Sequence, residues 1–119
     1  KPRFIKDPIN YILTKLVKYL IKNNMIKTEI SKRLVNIVND YLQTEGSALK
    51  ANEQTSLFGS DSLIDSMGLV YILVQVEGQF LEEGLVLSLM SEIAMSRRRS
   101  PFKTISTLAE FIEEQLASN

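Results

Sequence analysis

Asp65-Ser66-Met67-Gly68-Leu69-Val70-Tyr71-Ile72-Leu73-Val74-Gln75-Val76-Glu77-Gly78-Gln79-Phe80-Leu81-Glu82-Glu83-Gly84 is the run that decides the fold. An aspartate stands before it as a natural N-cap, no proline interrupts it, and Gly84 is placed to act as the C′ residue. A helix is therefore expected from about Ser66 to Glu83. At roughly 100° per residue, Leu69, Ile72, Leu73, Val76 and Phe80 fall on one stripe that must face a core. Met67, Val70, Tyr71 and Val74 form a second apolar stripe on the side of Ser66. A helix in a small bundle seldom has neighbours on every side, so the second stripe reads as an exposed docking surface. The alternative is that the chain's own N-terminal helix covers it.

Working outward, similar patterns lie on both sides. Thr28 can open a helix with Ile30, Leu34, Ile37, Val38, Tyr41 and Leu42 on its buried side, and Gly46 can stop it. Residues 47–65 read as a long loop, polar but pinned by Leu57, Phe58, Leu63 and Ile64. After Gly84 a short helix is expected over residues 89–95, then the basic run Arg97-Arg98-Arg99 and a break at Pro101. The last helix, from about Thr104 to Ala117, buries Ile105, Leu108, Ile112 and Leu116. No segment alternates with the period of a strand. The expected fold class is all-α: a four-helix bundle of three longer helices and one short one, covering residues 28–119, with an extra amphipathic helix in residues 1–27.

That extra helix begins at Asp7 and Pro8, a plausible N-cap and N1 pair, and ends near Asn23 and Asn24. Ile9, Ile12, Leu13, Leu16, Val17 and Leu20 recur on one side, with Lys15, Lys18 and Lys22 opposite. Overall the chain has 119 residues, with 14 Lys and Arg against 14 Asp and Glu. The balance hides an asymmetry: residues 1–27 hold seven bases and one acid, a net +6, so the rest is −6. A basic arm is joined to an acidic body.

There is no cysteine and no histidine. This removes thiolate nucleophiles, disulfides, thiolate or imidazole metal sites and the usual general base near neutral pH. Any reactive thiol would have to arrive on a cofactor. The longest apolar stretch, Ile9 to Ile21, is broken by Thr14, Lys15 and Lys18, so it is no membrane span. A cytoplasmic protein is the simplest expectation.

The segment Leu57-Phe58-Gly59-Ser60-Asp61-Ser62-Leu63-Ile64-Asp65-Ser66-Met67-Gly68-Leu69-Val70 resembles the acyl carrier protein family, including its aminoacyl and peptidyl carriers. The family's hallmark is an Asp-Ser-Leu-like tripeptide that opens a long helix, and its serine carries 4′-phosphopantetheine. Two serines compete: Asp61-Ser62-Leu63 matches the tripeptide literally, Asp65-Ser66-Met67 with Met for Leu. Register favours Ser66, because Glu77 and Phe80 then stand where the family has an acid and an aromatic. Leu63-Ile64 likewise supplies the apolar pair ahead of the Asp-Ser. Ser62 is left as a cap or loop hydrogen-bonder.

The resemblance covers residues 28–119, about three quarters of the chain. It implies a non-enzymatic carrier that holds acyl or aminoacyl groups as thioesters on an arm attached to Ser66. Such carriers serve fatty acid, polyketide, nonribosomal peptide and related biosynthesis. Asp65 would correspond to the acidic neighbour used by the phosphopantetheinyl transferase, and Met67, Val70, Tyr71, Val74 and Glu77 to the partner-docking face. Acyl or aminoacyl ligases and synthases are the expected further partners. The chain departs from fatty-acid carriers in having few acids on this helix, with Tyr71 and Gly78 where acids would stand. It looks closer to stand-alone aminoacyl or specialised acyl carriers, whose contacts are more apolar.

Two other readings stay open: an unmodified helical adaptor, in which Asp65 and Ser66 merely cap a helix, and a membrane-surface interaction protein. The basic helix needs a cover in each case. Its own bundle or a weak homodimer, a partner enzyme, and an anionic membrane surface met through residues 9–22 are the three options. A nucleic-acid partner is not expected, since no groove-reading motif accompanies the lysines. Arg97 to Arg99 read as a solvated loop, or as a grip on a phosphate or acidic partner.

Overall fold

The computed structural model describes residues 8–22, 26–91 and 100–118. Four α-helices occur among them: α1 (Pro8–Lys22), α2 (Ile26–Thr44), α3 (Ser66–Glu82) and α4 (Ile105–Ser118). No strand is present among the described residues; an isolated bridge pairs Ser56 with Thr104. The molecule is a small helical bundle, and no helix is long and apolar enough to cross a membrane among the described residues. Most of the expected short helix, as well as Arg97 to Arg99, Asn23 and Asn24, lies outside the described residues.

The ends of α2 and α3 and the start of α4 have local causes. At the end of α2 the N–H of Gly46 bonds Gln43 O (3.0 Å) and that of Ser47 bonds Leu42 O (2.9 Å). At the end of α3, Gly84 N bonds Leu81 O and Leu85 N bonds Phe80 O, both at 2.9 Å. Both are Schellman closures, and each needs a left-handed residue at C′, which Gly46 (φ 81°) and Gly84 (φ 82°) provide. Thr104 caps α4 reciprocally with Thr107: Thr107 N donates to Thr104 Oγ1 (3.1 Å) and Thr104 N to Thr107 Oγ1 (2.9 Å). Threonine here takes the place of the usual acid of a capping box.

The central element is α2, which packs against α1, α3 and α4. Its Ile30, Leu34, Ile37, Val38 and Leu42 are buried, and Tyr41 is half-buried. From α3 come the five residues of its inner stripe, and from α4 Ile105, Leu108, Ile112 and Leu116 together with Ala109 and Phe111. Phe111 meets Phe102 edge to face, with centroids 6.4 Å apart. At one end Arg33 of α2 lies over the ring of Phe80, 4.5 Å from its centroid, and forks onto the carboxylate of Glu83. Lys27 and Glu110 join α2 to α4 at 2.9 Å.

The loop over residues 47–65 is tied down by backbone bonds as much as by apolar contact. Ala51 N donates to Asn39 Oδ1 of α2, and Leu57 N, Ile105 N and Ser106 N pair with Lys103 O, Thr55 O and Glu53 O respectively. Two of its expected apolar anchors hold: Leu57 is fully buried and Ile64 nearly so. The other two do not, since Phe58 is 53% and Leu63 75% exposed. The chain bends at Phe58 and again at Leu63 and Ile64, with a turn at residues 60–61 between, so the loop buries Leu57 and Ile64 while leaving their neighbours Phe58 and Leu63 in solvent.

This difference is measurable. Leu57→Ala is expected to cost about 2–5 kcal/mol in urea unfolding, as for other buried leucines. Leu63→Ala is expected to change stability by less than about 0.5 kcal/mol.

Candidate functional site

Ser66 is the first residue of α3 and is exposed. Its position is set by Asp65, which has extended backbone (φ −83°, ψ 179°) and accepts the N–H of Gly68 on Oδ1 at 2.8 Å. The first intrahelical bond follows from Leu69 N to Asp65 O, 2.9 Å. The amides of Ser66 and Met67 thus precede the helical ladder at its positive end, where an attached phosphate would be favoured. Asp65 opposes this with its own charge, and both groups are exposed to screening solvent.

The two competing serines have different surroundings. Ser62 Oγ donates to Ser56 O (2.8 Å) and accepts from Ile64 N (3.0 Å), so it stitches the tip of the loop. It is half-buried. Ser66 Oγ has no intramolecular hydrogen bond among the described residues. A shallow groove beside it is lined by Phe58, Gly59, Ser62, Leu63, Ile64 and Asp65. The site offers an open hydroxyl with room for a flexible arm, and the adjacent Asp65 carboxylate is engaged with the Gly68 N–H.

Along α3 the residues of the second stripe lie uncovered. Met67 is 77% exposed, and Val70, Tyr71 and Val74 are each about half exposed. α1 does not cover them, because it packs on α2 and α4. Phe58 and Leu63 add to the apolar surface near the mouth of α3, a contribution that the sequence reading missed by treating them as anchors. Glu77 stands apart from the other expected docking residues: it is half-buried, and its Oε2 accepts the N–H of Leu89 at 2.8 Å, holding down the segment that leaves α3.

Tyr41 is a neighbour that the sequence did not single out as part of the site. Its ring tilts against Tyr71 with centroids 5.9 Å apart, and its phenol lies against Gly68. A Cβ at Gly68 would sit 2.6 Å from Tyr41 Cζ, closer still to the hydroxyl, and 3.0 Å from Ile64 Cγ2. Glycine at this point lets α2 approach the first turn of α3. Burial, and then the carboxylates of Glu45 and Asp65, push the Tyr41 phenol above the ordinary tyrosine range.

Comparison with models of protein families finds no match, and neither do comparisons with curated proteins or with solved structures.

Removing the cap by Asp65→Ala is expected to lower stability by about 0.5–2 kcal/mol. Tyr41 gives a pH signature. A phenol whose native value is raised keeps its stabilising share below pH ~10, the unfolded value, and loses it as pH rises through the native one. In alkaline unfolding curves, Tyr41→Phe should therefore be less steeply destabilised above about pH 10 than wild type.

Proposed function

We propose that the protein is a non-enzymatic carrier of the acyl carrier type, in which Ser66 bears 4′-phosphopantetheine and presents acyl or aminoacyl groups to partner enzymes. The observation that carries this reading is a solvent-open serine hydroxyl at the first position of α3, bordered by an uncovered apolar face. The helical bundle agrees with it at the coarser level of fold class. The matching residues are Asp65, Ser66 and Met67, with Glu77 and Phe80 at the family's later positions.

The division of labour follows from the chemistry available. With no histidine or cysteine, the chain has neither an imidazole base nor a thiol of its own. The phosphopantetheinyl transferase would supply the base that takes the Ser66 proton. Ser66 Oγ would then bond to the phosphorus bearing pantetheine, while the bond to the adjoining phosphate of coenzyme A breaks and 3′,5′-ADP leaves. Asp65 borders this exchange and keeps the serine at the helix start. The arm would contribute the terminal thiol, as a thioester that activates the carbonyl and raises its effective concentration at each partner's site.

Met67, Val70, Tyr71 and Val74 would meet those partners directly, joined by Phe58 and Leu63. Because this surface holds few charges, its contacts depend on apolar complementarity more than on charge steering. Glu77, occupied with Leu89, would act there by shaping the surface.

Incubation of the full chain with coenzyme A and a broad-specificity transferase is expected to add one phosphopantetheine, read by intact mass. Ser66→Ala should add none, and Ser62→Ala should still be modified. An unchanged wild-type mass would instead favour the unmodified adaptor, in which Asp65 and Ser66 serve only to start α3.

A further inference from the structure

The face that α1 turns toward the body is its less apolar one. Asn10, Leu13, Thr14 and Val17 line a groove against residues 81–85 at the end of α3, and Val17 reaches the core. Ile9, Ile12, Leu16 and Tyr19 remain outside, 47–69% exposed. On a helical projection these four span about 80° on the side away from the groove. The amphipathic stripe thus has one edge on the protein and most of its width in solvent.

Charge distinguishes among the occupants that could cover this stripe. The arm that carries this stripe, residues 1–27, has a net charge of +6, and by helical register Lys15 borders the stripe about 40° beyond Tyr19. Face-to-face pairing of two copies through α1 would bring two such basic arms together, a like-charge contact that opposes dimerisation. An anionic surface meets both needs at once, taking apolar side chains below and lysines at the charged layer. Fifteen residues are too few to span a bilayer, so a lipid-bound α1 lies in the plane of the surface. Lys15 already lies over the Tyr11 ring, 5.1 Å from its centroid, an arrangement suited to an interface where tyrosine is half wet.

The acidic body is compatible with this placement. Glu82 and Glu83 lie across the groove, on the side of α1 facing away from the lipid, and Glu83 is already paired with Arg33. The thickness of a helix, about 10 Å, separates that side from the outer stripe, which is comparable to the Debye length of about 8 Å at physiological salt.

We propose that α1 is a surface-docking helix for anionic lipid, with Ile9, Ile12, Leu16 and Tyr19 entering the bilayer interface and the lysines engaging its headgroups. The inference is independent of the carrier reading, since it makes no use of Ser66. It is tested by sedimenting the full chain with vesicles of phosphatidylcholine alone or mixed with phosphatidylserine, with oligomeric state followed by analytical ultracentrifugation. Wild type and Ser66→Ala are both expected to bind the mixed vesicles and to leave the neutral ones largely free. Ile12→Gln with Leu16→Gln should weaken binding by more than roughly tenfold while leaving the helical signal and melting curve unchanged. Lys15→Gln should weaken it roughly fivefold, with the effect shrinking at high salt. Absence of binding to mixed vesicles, or equal binding to both kinds, overturns the proposal. So does a wild-type dimer that Ile12→Gln and Leu16→Gln dissociate, or a loss of folding in that variant, because either result would place the stripe against protein.

Discussion

Burial of Leu69, Ile72, Leu73, Val76 and Phe80 along one side of α3 is the constraint from which the rest of the site follows. Each such side chain contributes about 1.5–3 kcal/mol when fully removed from water, against about 1 kcal/mol for a good N-cap. The rotation of α3 is therefore set by its core stripe. The cap decides a different matter, the residue at which the helix begins. Together they turn Met67, Val70, Tyr71 and Val74 to solvent and leave Ser66 at the rim. Neither outcome needs an interaction made by the exposed residues themselves.

Polar groups near the rim are distributed just as economically. Ser62 and Ser66 are four residues apart and chemically identical, yet one hydroxyl is consumed in closing the loop and the other has no internal bond among the described residues. Asp65 satisfies the Gly68 amide, which would otherwise lack a partner in the first turn. Tyr41 then fits over Gly68 because nothing projects from that glycine. The result is a rigid helix start beside an open groove, a geometry suited to holding a tethered group at a defined point.

Among the described residues two apolar faces lie in solvent, and they differ in charge. The α3 face is nearly free of charged side chains, so it favours partners by shape. The α1 face belongs to an arm of net positive charge and has Lys15 at its edge, so it favours a negative surface. The two lie on helices that make no direct helix–helix contact, α1 resting on α2 and α4 instead. A chain that reads as neutral in total thus separates its charge and its apolar surface into distinct regions.

Much of this was legible in the residues. The inner stripes of α2, α3 and α4 were readable from period alone, because core positions must recur with the helical repeat. Gly46 and Gly84 marked helix ends, since a left-handed C′ residue is strongly biased to glycine. Harder to read were Phe58 and Leu63, because periodicity gives no side for a short irregular segment whose neighbours are distant in sequence. The role of Glu77 as acceptor for Leu89, and of Tyr41 as the cover over Gly68, depended on the approach of separate segments.

The amino-acid order by itself determined where α2, α3 and α4 lie, which of their faces are apolar, and which serine opens α3, for these are consequences of local spacing and capping. Only the tertiary structure decided whether the further greasy surfaces would be covered or left in water. It placed the second stripe of α3 in solvent, and gave α1 a berth on its more polar side. That choice belongs to packing: a face is covered only when another segment can reach it, and reach is a property of the whole chain rather than of any local pattern.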